Sequence, residues 1–187
     1  MSTINSFSDP FSETTNSRRL ERTLQFLHDE GVAVPARDFG GESPLLEQIR
    51  QKLNIDVGST DFDLDNCTLT GPLKTAFLFE VIEHLGSPLR ILQEIHNALD
   101  DDGILYLSMP LVVSRFRPTG WLRDKHHIFE MDRKQFDFLI KKAGFEVERE
   151  SVARMQSVWR YFTGFRIFIR LFTDRNLLVK LIKRETA

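Results

Sequence analysis

The sequence predicts an α/β fold, an open and mostly parallel twisted sheet with helices on both faces. Short strand-like runs alternate along the chain with helical patterns that open on capping residues. Two of the runs, Thr75 to Phe79 and Ile104 to Pro110, are almost continuously apolar, as strands covered on both faces must be. A third sign is the order strand, Gly40-Gly41, helix, strand near the start. Two strands flanking one helix pair in parallel through a crossover.

In chain order, residues 1–17 are dominated by Ser, Thr, Asn, Asp and Phe without apolar periodicity and read as a mobile arm. Arg18 to Glu30 sets Leu20, Leu24 and Leu27 at helical spacing and stops at Gly31. Val32 to Phe39 is a short strand weakened by Pro35. Ser43 caps and Pro44 opens a helix with Leu45, Leu46, Ile49 and Leu53 on one stripe. Ile55 to Thr60 is the second strand. After Thr75 to Phe79, Ser87 and Pro88 start a helix carrying Leu92, Ile95 and Leu99, and Ile104 to Pro110 follows as a buried strand. Asp132 and Gln135 have capping-box spacing for a helix that Gly144 ends. Phe145 to Val152 and Asn176 to Lys183 are the last two strands.

The chain has 187 residues, enough for one domain and a core of ordinary size, and its 28% charged and 41% hydrophobic residues exclude disorder over its whole length. The lone Cys67 cannot form an internal disulfide, and no charged-then-apolar signal segment opens the chain, so a reducing, cytoplasmic setting is expected. Net charge is −2 but polarised: Glu42 to Asp102 holds twelve acidic against four basic residues, whereas Arg154 to Arg184 holds eight basic residues against Asp174.

One stretch, Phe77 to Leu85, is an apolar strand that stops at Glu80 and delivers Glu83 and His84 to a sheet edge. Glu80-Val81-Ile82-Glu83-His84-Leu85, then Pro88, Ala98-Leu99, Gly103-Ile104-Leu105 and Ser108-Met109-Pro110, resembles in order and spacing the class I S-adenosylmethionine-dependent methyltransferases, specifically their small single-domain bacterial members. His126-His127 before Phe129, and Ala143-Gly144-Phe145-Glu146-Val147, resemble that family's last helix-to-strand passage. The likeness runs from about Val32 to Lys183. It implies a single Rossmann-like methyltransferase domain over residues 18–187.

The family's first strand usually ends Asp-x-Gly-x-Gly-x-Gly. Here Asp38-Phe39-Gly40-Gly41-Glu42-Ser43-Pro44 keeps the aspartate and first glycine but sets Glu42 and Pro44 where later glycines fall. Asp61 matches the acidic residue at the end of the second strand. Between Asp61 and Thr75 there is room for a turn only, so a compact variant lacking the family's third strand is expected.

The resemblance implies S-adenosylmethionine as cofactor, with Asp38, Gly40, Gly41, Asp61, Glu80 and Val81 around it. Gly40 and Gly41 let the backbone approach a ligand, although a plain strand-to-helix turn also explains two glycines. Asp61 can accept both ribose hydroxyls, with Asp63 and Asp65 as rivals. Glu80 and Val81 would line the sulfonium and methionine portion, while Glu83 reads as a surface carboxylate beside Ser87. His84 can act as a base on an acceptor hydroxyl, orient it, or make a structural hydrogen bond. His126 and His127 can contact substrate or anchor a loop, with Trp121 and Arg123 at the same mouth. No metal site is expected, because cysteines or further histidines at fixed spacing are lacking.

Residues 155–172 interleave Arg160, Arg166 and Arg170 with a stripe of Val158, Phe162, Phe165, Ile169 and Phe172. That segment packs on its own domain, forms a homodimer seam, or lies on a membrane surface or lipid. Nucleic acid is not an expected partner, since the acidic body repels phosphate. The acceptor is read as a small molecule, glycan or lipid-linked intermediate methylated on oxygen. The rival is a methyltransferase-fold protein without activity that serves as a binding or regulatory partner.

Overall fold

Successive residues of the central strands face opposite sides of the sheet, and each side carries its own helices. The computed structural model describes residues 10–112, 127–154 and 174–184. Within them the order is α1 (Pro10–Glu30), β1 (Ala36–Asp38), α2 (Pro44–Leu53), β2 (Val57–Ser59), β3 (Leu73–Phe79), a 3-10 turn (Ile82–His84), α3 (Pro88–Ala98), β4 (Leu99–Val112), α4 (Arg133–Lys142), β5 (Phe145–Arg154) and β6 (Asp174–Lys183).

The six strands form one sheet in the order β2-β1-β3-β4-β6-β5. β2, β1, β3 and β4 are mutually parallel, and β6 runs antiparallel between β4 and β5. This is the α/β sheet the alternation predicts. No strand pairs with the outer edge of β2 among the described residues, and residues 60–72 contain neither helix nor strand, in keeping with a compact variant.

The period of two sorts the core. Ala76 and Leu78 of β3, Leu105, Leu107 and Met109 of β4, and Leu177, Val179 and Leu181 of β6 pack against Ile91, Leu92 and Ile95 of α3 and Phe136 and Ile140 of α4. Phe77, Phe79, Tyr106 and Leu178 turn the other way, onto Phe26 and Leu27 of α1 and Leu46 and Ile49 of α2. Each fully buried side chain of this size contributes about 1.5–3 kcal/mol relative to exposure. On the α1 side, Phe77 stacks on Tyr106 at 5.9 Å between ring centres, and the Tyr106 hydroxyl donates to the Gly31 carbonyl at 2.7 Å.

Most helix boundaries follow the local signals. Ser43 accepts from the Leu46 N–H, Pro44 sits in the first turn of α2, and Asp132 with Gln135 forms a reciprocal capping box on α4. Gly31 and Gly144 both take positive φ, where a side chain would be strained. Three expectations need correction. α1 begins at Pro10, well before Arg18, because the polar sequence of its first half carries no apolar stripe to read. β1 and β2 are shorter than the runs 32–39 and 55–60, and β4 is longer than 104–110. Ser87 precedes α3 but its side chain makes no capping bond; the Asp65 carboxylate instead accepts from the Gly86 and Ser87 N–H groups at 2.9 and 2.8 Å. Residues 1–9 of the arm and the segment 155–172 lie outside the described residues.

Candidate active site

β2 lies on one side of β1 and β3 on the other, so the connections leaving β1 and β3 part company at their carboxyl ends. In open parallel sheets that divergence makes the crevice where ligands bind. Asp38 ends β1 beside Phe77, and the chain turns through Gly40 and Gly41 into α2. The Gly40 N–H donates to Asp38 Oδ1 at 2.8 Å, folding the turn back over the strand end. A Cβ on Gly40 would stand 3.2 Å from that oxygen and 3.3 Å from Cγ2 of Val81, so the position has little room for a side chain. Gly41 takes φ +77 and a Cβ there would stand 3.3 Å from the Thr60 carbonyl oxygen, while the Thr60 hydroxyl donates to the Asp38 carbonyl at 2.6 Å. Burial pushes the Asp38 carboxyl up to about 6, and the Gly40 N–H opposes part of that rise.

The two positions that depart from the glycine pattern have local roles. Glu42 takes a two-pronged contact from Arg50 at 2.8 and 3.0 Å, and Arg50 also donates to the Val57 carbonyl at 2.9 Å. Glu42 thus ties the turn to Arg50 of α2 with a contact a glycine could not make, and Pro44 opens that helix.

Glu80 follows β3 with φ +55, a left-handed conformation that costs about 1–3 kcal/mol for a residue with a side chain. Its carboxylate holds the turn in place. Oε1 accepts from the Ser108 hydroxyl and from Asn176 Nδ2, each at 2.7 Å, and Oε2 accepts from Arg19 at 2.9 Å. Arg22, one turn further along α1, donates to Asn176 Oδ1 at 3.2 Å. Four elements meet at this carboxylate: α1, β4, β6 and the turn after β3. Ser108 and Asn176 are polar positions in otherwise apolar strands, a signal present in the sequence; nothing local marked Arg19.

Glu83 is not the surface carboxylate expected beside Ser87. It is 1% exposed, and among the described residues its buried Oε2 has no hydrogen-bond partner. The 3-10 turn carries it inward while His84 points to the surface. Burial pushes the Glu83 carboxyl up to about 8, with the negative charge of Glu80 adding to the rise. His84 Nε2 is 3.9 Å from Glu83 Oε1, and the His84 and His127 rings meet edge to face at 4.8 Å. The Ile128 and Phe129 N–H groups both donate to the Glu83 carbonyl, at 2.9 and 3.0 Å, which staples the segment after His127 to the 3-10 turn. The structure therefore brings together Glu83, His84 and His127, of which sequence reasoning had paired only the histidines with the acceptor. His126, Trp121 and Arg123 lie outside the described residues.

Of the three aspartates after β2, two are engaged locally. Asp63 accepts from the Asp65 N–H at 3.0 Å and from Asn66 at 2.7 Å, and Asp65 holds the turn before α3 as described above. Asp61 is exposed beyond the carboxyl end of β2, beside the end of β1.

A six-stranded, mostly parallel sheet with one inserted antiparallel strand, a glycine turn at its switch point and an acid-histidine turn after β3 define the class I methyltransferase fold. Residues 8–150 match the model of a methyltransferase domain family. The chain belongs to that family, whose cofactor is S-adenosylmethionine. No curated protein matches the sequence. Among solved structures it is similar to the [4+2]-cyclase SpnF, with 11% identity, a TM-score of 0.65 and coverage of 89% of this chain and 82% of that one. It is also similar to the O-methyltransferase of a trans-AT polyketide synthase from Brevibacillus brevis, solved with S-adenosyl-L-homocysteine, at 13% identity, TM-score 0.60 and coverage of 92% and 75%. A third is 1,6-didemethyltoxoflavin-N1-methyltransferase of Burkholderia thailandensis, at 13% identity, TM-score 0.61 and coverage of 94% and 86%. Among the described residues no helix is long and apolar enough to cross a membrane.

Proposed function

We propose that the protein transfers the methyl group of S-adenosylmethionine to an oxygen of a small-molecule, glycan or lipid-linked acceptor. The observation that carries this reading is the placement of His84 and His127 beside the turn that follows β3, next to the crevice at Gly40. Asp61 takes the ribose hydroxyls, the backbone of Gly40 and Gly41 makes room for the methionine portion, and Glu80 and Val81 border the sulfonium. Methyl transfer is an in-line displacement for which the cofactor supplies the leaving group, so the protein mainly aligns the nucleophile. An oxygen nucleophile gains from a group that takes or withholds its proton, and a pair of imidazoles is suited to that. Two of the similar structures are named for O- and N-methyl transfer, and each was solved with S-adenosylhomocysteine.

Calorimetric titration with S-adenosylmethionine and S-adenosylhomocysteine tests the cofactor half, and release of S-adenosylhomocysteine over a panel of hydroxylated acceptors tests the rest. Failure of both ligands to bind at millimolar concentration refutes it. His84→Ala and His127→Ala are expected to lower turnover while leaving cofactor affinity in place.

A second reading has its own support. Glu42 and Pro44 replace two glycines of the cofactor turn, and the similar structure SpnF is named for a cyclisation and not for methyl transfer. On this reading the fold binds a partner or substrate without transferring methyl. Cofactor binding without S-adenosylhomocysteine release across the acceptor panel would favour it.

A further inference from the structure

We propose that Glu83, His84 and His127 form a binding site for one divalent transition-metal ion of the zinc class, open on the side of the methyl acceptor. The use assigned to the ion rests on the methyl-transfer reading; the site itself does not.

The geometry supplies the donors. One ligand atom from each of the three side chains lies within 4.8 Å of the others. Ligands about 2.1 Å from a tetrahedral ion stand roughly 3.4 Å apart, so small rotations of two surface-side imidazoles close the set. Two histidines and one carboxylate are a donor set taken by Zn²⁺, Co²⁺ and Fe²⁺. Sequence spacing could not reveal it, because His127 arrives from a distant segment.

A second observation is independent of proximity. Glu83 is 1% exposed, its Oε2 is buried with no hydrogen-bond partner among the described residues, and its Oε1 lies 3.9 Å from His84 Nε2. An ionised carboxylate so placed loses its hydration without return, so the group keeps its proton until a cation takes that proton's place. The backbone holds the donors in register. Ile128 and Phe129 clamp the Glu83 carbonyl, so the main chain beside His127 is fixed to the residue that supplies the carboxylate.

Three protein ligands leave a position open, the arrangement of catalytic rather than structural sites. Filled by the acceptor hydroxyl, that position would lower the hydroxyl pKa and hold its oxygen in line with the cofactor. The hydroxyl proton leaves to water. The oxygen lone pair forms the new O–C bond while the C–S bond breaks with its electron pair going to sulfur, giving a methyl ether and S-adenosylhomocysteine. A hydroxyl that can ligate a metal, as in a phenol or a vicinal diol, is the acceptor class this selects.

Full-length protein stripped with a chelator is titrated with Co²⁺ and followed by visible absorption, with Zn²⁺ competition, and the same samples are titrated with S-adenosylmethionine. One Co²⁺ per chain, displaced by Zn²⁺, is expected. His127→Ala and Glu83→Gln should weaken it more than tenfold, whereas exposed His28→Ala should not. His127 lies near the surface, so its variant keeps the experiment decisive should Glu83→Gln misfold. Absence of stoichiometric Co²⁺ binding, or unchanged binding by His127→Ala, overturns the site. Cofactor binding without metal binding overturns the metal site alone and leaves the imidazole pair to act unaided. Metal binding without cofactor binding upholds the site and refutes the methyl-transfer reading.

Discussion

Oε2 of Glu80 lies 2.9 Å from the guanidinium of Arg19, which ties helix α1 to the turn after β3. The contact is half-exposed on the arginine side, and such pairs contribute about 0–1 kcal/mol. Arg19→Ala is therefore expected to shift the denaturant midpoint only slightly. Glu80→Ala should cost more, about 1–3 kcal/mol, because it strips the acceptor from Ser108 and Asn176 in the interior as well. Equal losses in the two variants would mean that the inner hydrogen bonds contribute nothing.

Gly40 and Gly41 are expected to separate by effect. Gly40→Ala forces a methyl between Asp38 and Val81 at the crevice, so it should weaken cofactor binding more than it lowers stability. Gly41→Ala acts on the backbone, where φ +77 costs an L residue about 1–2 kcal/mol. Thermal unfolding and calorimetry on the same two proteins check this.

Asp61→Ala should weaken S-adenosylmethionine by about 1–3 kcal/mol, the loss of a charged hydrogen-bond acceptor, and leave folding within about 0.5 kcal/mol. Asp65→Ala should do the opposite, destabilising the turn before α3 with little effect on the cofactor. An exchange of those two outcomes would assign the ribose to Asp65.

The Asp38 carboxyl, raised by burial to about 6 from 3.8, makes stability depend on pH. The folded chain holds the proton more tightly than the unfolded one, so between pH 4 and pH 6 it carries the greater number of protons. The Asp38 contribution then falls as pH rises through that window and levels off above it, by at most about 3 kcal/mol, while the Glu83 carboxyl, raised to about 8, adds a fall of the same sign that continues to higher pH. Asp38→Asn, measured by urea unfolding from pH 4 to pH 7, should make the slope shallower below pH 6 and leave the part due to Glu83. A cationic cofactor beside Asp38 favours the carboxylate, so binding should release protons near pH 6 and show buffer-dependent heats.

The layers and their order were legible because they rest on periodicity and caps, which are local. Phe77 and Phe79 against Ala76 and Leu78, Ser43 with Pro44, and Asp132 with Gln135 could be read from neighbours alone. Of the candidate site, the placement of its residues was legible in part. Asp38, Gly40, Asp61, Glu80 and His84 lie on segments whose spacing carries meaning. Glu83 was misread, since one turn of 3-10 helix sends it inward where an extended chain would leave it at the surface. Its meeting with His127, and the convergence of Arg19, Ser108 and Asn176 on Glu80, depend on long-range packing that no window of sequence contains.

β6 is made after every other strand of the sheet, yet it inserts between β4 and β5 and brings Asn176 to Glu80. The parallel half of the sheet can form on a nascent chain, but the left-handed turn at Glu80 has its full set of donors only when β6 arrives. Completion of that turn thereby waits on the strand that comes last in chain order. Until β6 is in place, Glu80 lacks the Asn176 amide that helps to hold its turn.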